Sequence, residues 1–239
     1  MKGLKFSCIA LCAAMLLSGC GNLSNAAKGG MIGGATGGAA GTGIGAAIGA
    51  LVNGKKGAKL GAAIGAGAGV AVGATAGSLI GHKMDKAKAA AAAIAQTETY
   101  TDANGLEGVK VTFDNGILFA TGKSTLTSSA KTTLKKFADD VLKVYSDVDV
   151  NIYGFASSDG SDATNLTLSE KRATAVTDYL KSCGVESTQI KTTKGFGEDT
   201  GYLIYNADGT ENATASRRVE VYLYASDEMI AAANAGTLK

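Results

Sequence analysis

Glycine recurs at every fourth position from residue 29 to residue 49 and, past Asn53, from residue 57 to residue 81. A spacing of four lines these glycines along one slowly winding stripe of a helix, and a stripe without side chains lets another helix approach to backbone contact. An isolated water-soluble helix is excluded. Each glycine costs up to about 1 kcal/mol of helix propensity relative to alanine, so packing or lipid has to compensate. No charged side chain stands between Lys28 and Lys55 or between Lys59 and His82. As helices the two arms would reach about 39 and about 33 Å, enough to cross a bilayer core. Asn53-Gly54-Lys55-Lys56-Gly57 reads as the turn between them. The spacing predicts a helical hairpin over 29–82 with both ends on one side. Large apolar residues are sparse in it, so the hairpin either spans the bilayer or lies on its inner leaflet, and both are favoured over a soluble bundle.

The stripe resembles a glycine zipper, through which copies of the chain would self-associate. Ahead of it, Lys2 and Lys5 precede an apolar run through Leu16 and Leu17 and the small pair Ser18 and Gly19, the layout of a secretory signal over 1–19. Residues LSGC, ending at Cys20, resemble a bacterial lipobox. That resemblance implies an acylated Cys20 as the first mature residue, held in the outer membrane at about 0.8 kcal/mol per buried methylene, with 20–28 as a short tether. Residues Gly21 to Lys28 carry no acid, so the aspartate that the resemblance would associate with retention in the inner membrane is absent, with Asn22 in its place.

With Cys8 and Cys12 leaving in the signal and Cys20 acylated, Cys183 is the remaining thiol, so no internal disulfide is expected. It packs beside a helix end or pairs between molecules. The one histidine, His82, has no ligand-spaced neighbour, which argues against zinc, haem or any other metal or cofactor. Removing Lys2 and Lys5 from 23 basic residues leaves 21 against 21 acids, and nucleic acid is an unsuitable partner for a neutral chain. The signs are segregated. Residues 20–88 hold seven lysines against Asp85, so the basic half lies beside the expected lipid anchor.

After His82 the run MDKAKAAAAAIAQTE is a strong helix former. It reads as a spacer, and 83–108 as an Ala-rich helix and linker whose boundary falls over Thr99–Gly108. From Val109 the period shortens: VKVTF and ILF read as strand segments, a helix follows through Leu134, Phe137, Val141 and Leu142, and DVDVNIYGF is a strand. Thr167 and Glu170 stand at capping-box spacing for a second helix, whose sheet-facing side would carry Leu168, Ala175, Val176, Tyr179 and Leu180, with Arg172 off its centre. Ile190–Phe196 and Arg218–Tyr224 supply later strands, the last alternating Val219, Val221 and Leu223 against Glu220, Tyr222 and Tyr224. The expected core is an α/β unit over 109–226, one small sheet with two helices, followed by a tail at 227–239.

From Asn165 to Leu180 the sequence NLTLSEKRATAVTDYL satisfies N-x2-L-S-x2-R-A-x2-V-x3-L at every fixed position. This resembles the peptidoglycan-associating motif of the OmpA-like domain family. The resemblance runs over roughly 109–225 and includes ILFATGKSTL, GFGE at Gly195–Glu198 and RRVEV at Arg217–Val221. It implies a βαβαββ fold and a clamp for the diaminopimelate of the peptidoglycan stem peptide. A zwitterionic amino acid needs a cation for its carboxylate and an acid for its ammonium. Arg172 matches the cation, with Asn165, Leu168 and Arg217 as further site residues. The family's Gly-His-Thr-Asp is here Gly154-Phe155-Ala156-Ser157, so Ser157 replaces the acid and Asp159, or Asp162, is the candidate substitute in a Gly- and Ser-rich loop. Otherwise Arg172 makes a structural ion pair to Asp159 or Glu170. The implied function is an outer-membrane lipoprotein tethering that membrane to peptidoglycan. The competing expectation is a zipper hairpin that assembles as a pore or scaffold beside a domain that no longer binds. No nucleophile with base, nor paired acid and base, points to an enzyme.

Overall fold

The computed structural model describes residues 74–102 and 104–238. The expected signal, acylated Cys20 and the hairpin up to residue 73 lie outside the described residues. Helix α1 (Ala74–Ala92) leads into strands β1 (Gln96–Thr101) and β2 (Glu107–Asp114), a one-turn α2 (Asn115–Leu118) and α3 (Ser128–Phe137). Helix α3 runs on through a widened π-helical turn, Ala138–Leu142. Then follow β3 (Val148–Phe155), α4 (Asp162–Ser182), β4 (Ile190–Gly195), the short α5 (Ala213–Ser216), β5 (Arg218–Ala225) and α6 (Asp227–Asn234).

The strands form one five-stranded sheet in the order β1-β2-β5-β3-β4. From β2 onward the order of elements is the expected βαβαββ, with α3 and α4 as its two long helices. Only β3 and β4, joined through α4, pair in parallel as neighbours; β2 and β3, joined through α3, also run parallel, but β5 is inserted antiparallel between them. Strand β5 lies between β2 and β3, setting Val111 and Ile152 beside Val221, and Val109 and Val150 beside Leu223. Side chains alternate across a strand, so this register gathers these six side chains on one face, under the helices, where all are fully buried. The opposite face is a second cluster of Tyr153, Phe155, Tyr202 and Tyr222, with Tyr100 and Phe196 packed against it. Thus Glu220 and Tyr222, expected on a more open face, are buried as well, Glu220 in an ion pair to Arg218 at 2.7 Å while accepting from the Tyr222 hydroxyl at 2.7 Å.

Several expectations change. The stretch 83–108 is no spacer and linker: α1 buries Ala76, Ile80, Met84, Ala87 and Ala91 in the domain. It packs on α6 and β2. The last ladder glycines, Gly77 and Gly81, are buried on the same stripe, and Lys83 is held by Asp147 at 2.6 Å. Within the expected linker, β1 pairs antiparallel along β2 from Gln96↔Thr112 to Thr101↔Glu107. Its threonines supply the β-branching for an edge strand, yet QTETYT lacks the apolar alternation that announces one. The tail at 227–239 includes α6, capped by Ser226, which accepts the Met229 N–H at 3.0 Å, and burying Met229, Ile230 and Ala233.

The segment Ile117–Phe119 is not strand. Leu118 closes α2 and Phe119 makes a single bridge to Leu126, so both are buried in succession by a turn. Helix α4 begins five residues before Thr167, at Asp162, with Ser161 as its cap. Its buried face is Asn165, Ser169, Arg172, Ala173, Val176, Thr177 and Leu180, while Leu168, Ala175 and Tyr179 are only half-buried. No helix among the described residues is long and apolar enough to cross a membrane.

Candidate functional site

The site is built where β3 and β4 end side by side. Gly154 and Gly195 are paired across these strands, and α4 lies hard against both. A Cβ on Gly154 would stand 2.2 Å from the Ser169 carbonyl oxygen, and one on Gly195 would stand 2.3 Å from the Glu170 nitrogen. Backbone packed this closely sets the depth at which α4 sits and so where Arg172, one turn past Leu168, emerges.

Arg172 is 2% exposed. Its Nε donates to the Lys123 carbonyl at 3.0 Å, and its guanidinium lies 5.4 Å from the centroid of the Phe119 ring. Among the described residues no carboxylate is within ion-pairing distance, so the structural pair to Asp159 or Glu170 is not what holds it. Burial, and then the nearby charge of Arg217, push its pKa down from the ordinary arginine value. An arginine starts so far above neutrality that it stays a cation. The result is a desolvated guanidinium whose one hydrogen bond among the described residues is made by Nε. That suits a carboxylate presented from outside.

The loop between β3 and α4 carries the polar partners. Asp159 Oδ2 accepts from the Ser157 hydroxyl at 3.0 Å and from Arg217 Nη1 at 2.9 Å, and Nη1 also donates to Ser157 Oγ at 3.1 Å. Ser157 is buried, whereas the Asp159 side chain is 74% exposed. Asn165 Nδ2 is shared among the Ser157 carbonyl at 3.1 Å, the Asp159 carbonyl at 2.9 Å and the carboxylate of Glu198, so it clamps the loop onto α4. Asp162 starts α4 as an exposed first-turn acid.

Of the six expected site residues, Ser157, Asp159 and Arg217 form one hydrogen-bonded group, Asn165 fixes that group's backbone, Arg172 stands beside it, and Leu168 is half-buried on α4 one turn before Arg172. Four residues were not singled out by sequence. Phe119 and Lys123 support Arg172 from a motif-bearing segment, and Glu198 belongs to GFGE, so all three lie in conspicuous stretches. Glu211 had no signal: it accepts the Ser158 N–H at 3.3 Å and the Ser158 hydroxyl across 53 residues. Arg218, next to Arg217, is structural, with its guanidinium 4.3 Å from the Phe155 ring centroid. No three His, Cys, Asp or Glu side chains cluster at metal-ligating range among the described residues.

Residues 118–218 match the OmpA family. Outer membrane protein A of Citrobacter freundii is 39% identical over 79 residues, 30% of this chain and 33% of that protein. A stretch of the photosystem I P700 chlorophyll a apoprotein A2 of Gloeobacter violaceus is 40% identical over 79 residues, 9% of that protein. The chain therefore spans a third or less of these curated relatives. Among solved structures, the OmpA-like domain of FopA1 from Francisella tularensis subsp. tularensis SCHU S4 is 30% identical, with 51% of this chain and 77% of that domain covered and a TM-score of 0.39.

Proposed function

We infer, from the OmpA-like domain around residues 118–218 and from a buried Arg172 with no carboxylate partner among the described residues, that the chain is a noncovalent tether between the outer membrane and peptidoglycan. Arg172 receives the carboxylate of the diaminopimelate side chain in the stem peptide, and Asp159 faces its ammonium. Acylated Cys20 holds the other end in the membrane. The observation that carries this is the state of Arg172: among the described residues a desolvated cation has no paired anion, which is a net cost unless a ligand supplies one. The glycine ladder serves as the connection between lipid and domain, since its last two glycines are already buried against the chain's own domain.

The test is co-sedimentation of the full chain, in mild detergent, with purified sacculi. Arg172→Ala removes a charge-assisted hydrogen bond of about 1.5–3 kcal/mol, so binding falls roughly 10- to 150-fold with little change in melting temperature. Free diaminopimelate displaces the wild type. Equal binding by wild type and Arg172→Ala would reject the clamp.

A further inference from the structure

The loop from Ser157 to Gly160 is expected from its composition to be flexible, yet it is fixed from three sides. Asn165 takes the carbonyls of Ser157 and Asp159 from beneath. Glu211 takes the N–H and hydroxyl of Ser158 from the far side. Gly160 turns the chain at φ +113, against the Asn165 side chain, in a conformation that L side chains rarely adopt. These bonds settle the backbone of the loop. The direction of the Asp159 side chain is settled by two others, from the Ser157 hydroxyl and from Arg217 Nη1, and both end on the same oxygen, Oδ2. Among the described residues Oδ1 accepts nothing, and the side chain is largely exposed. One carboxylate oxygen is held and the other faces outward.

We propose that Arg217 is a positioning residue: with the Ser157 hydroxyl it holds the Asp159 carboxylate as the acid of the site, filling the place that a carboxylate on residue 157 would occupy. This rests on the clamp described above. A side-chain carboxylate on residue 157 extends one bond beyond the Ser157 Oγ, into the space where Asp159 Oδ2 now lies 3.0 Å away. Arg217 Nη1 is 3.1 Å from that Oγ and 2.9 Å from Oδ2, so its guanidinium serves an acid arriving from either position. An exposed ion pair of this kind contributes little to stability. Its effect is on direction: it removes the rotamer freedom of an exposed aspartate before the ligand's ammonium arrives.

The experiment uses the full chain in detergent, bound to sacculi, with two soluble competitors: diaminopimelate and pimelate, the same dicarboxylic acid without ammonium groups. Asp159→Asn, which keeps the side-chain shape, and Arg217→Ala are each expected to weaken binding about tenfold and to abolish the preference for diaminopimelate over pimelate. The double variant Asp159→Asn/Arg217→Ala should be no weaker than Asp159→Asn alone, because Arg217 acts through Asp159. Ser157→Asp/Asp159→Asn should recover both binding and preference to within about threefold of wild type. Losses that multiply in the double variant would overturn the proposal by making Arg217 a ligand contact in its own right. So would undiminished preference in Asp159→Asn, or failure of the Ser157→Asp rescue in a chain that melts like wild type. If the wild type itself ignores sacculi, the clamp falls and the proposal with it. If the wild type binds through Arg172 but not Asp159, only the proposal falls.

Discussion

Asp102 is buried in the turn between β1 and β2, where its Oδ1 accepts the N–H groups of Asn104 at 2.9 Å and Leu106 at 2.8 Å. Burial raises its pKa to about 7 against the pull of those two bonds. A carboxyl whose folded pKa lies above its unfolded value binds its proton more tightly in the folded state. Stability is therefore highest below about pH 4 and falls as pH rises towards about 7, by at most about 4 kcal/mol for this group, and is level beyond. Asp102→Asn keeps an acceptor for both N–H groups and removes the titration. Melting temperatures at pH 4 and pH 7.5 should drop for the wild type relative to that variant, and parallel behaviour would show that the turn does not carry this proton. At this scale the sequence was only partly informative about the site. Arg172 stood out because it occupies a fixed place in a dense motif. The tie between Arg217 and Asp159 did not, since it joins residues 58 positions apart and no local period encodes it.

Helix α4 shows the same division at the scale of an element. Its existence and central residues follow from the motif, but its start is displaced because Thr167 and Glu170 imitate a capping box inside a helix that Ser161 already caps. Its buried face was misjudged for a related reason. Asn165 and Ser169 are polar, so hydrophobic periodicity assigns them to water, whereas the structure buries both by giving each hydrogen-bond partners. Ser169 Oγ accepts the Gly197 N–H at 2.9 Å, joining the helix to the segment after β4. Close approach at Gly154 leaves no room for a methyl group. Gly154→Ala should therefore lift α4 from the sheet, lower stability by about 1–3 kcal/mol or more, and weaken sacculus binding beyond what the remaining folded fraction explains. Denaturant unfolding alongside co-sedimentation separates the two effects. A neutral Gly154→Ala would mean that α4 is not seated by this contact.

Over the whole molecule, α1 and α6 close one end of the core, although neither fell within the expected domain limits of 109 and 226. Ile80, Met84 and Ile230 are fully buried and Met229 nearly so, which makes the alanine-rich helix part of the fold rather than a stalk beside it. Truncating Met84 to alanine should cost about 2–5 kcal/mol. A soluble chain starting at residue 89 loses both Ile80 and Met84, so it should melt well below one starting at residue 74. Equal melting of the two would show that α1 docks without supporting the core.

The sequence by itself determined strands β2 to β5 and the helix α4 between β3 and β4. Valines at period two in β2, β3 and β5 have one way to bury together, and the α4 motif places a cation at a set distance along a helix. Only the tertiary structure decided where the domain begins and ends and how the Asp159 side chain is oriented. Alanine, glycine and threonine segments such as α1 and β1 carry too little hydrophobic contrast to declare a partner, so the surface they meet chooses for them. The direction of Asp159 is set by Ser157 and Arg217 together, and a side chain two residues away and another 58 away become neighbours only when β3 and β5 are paired.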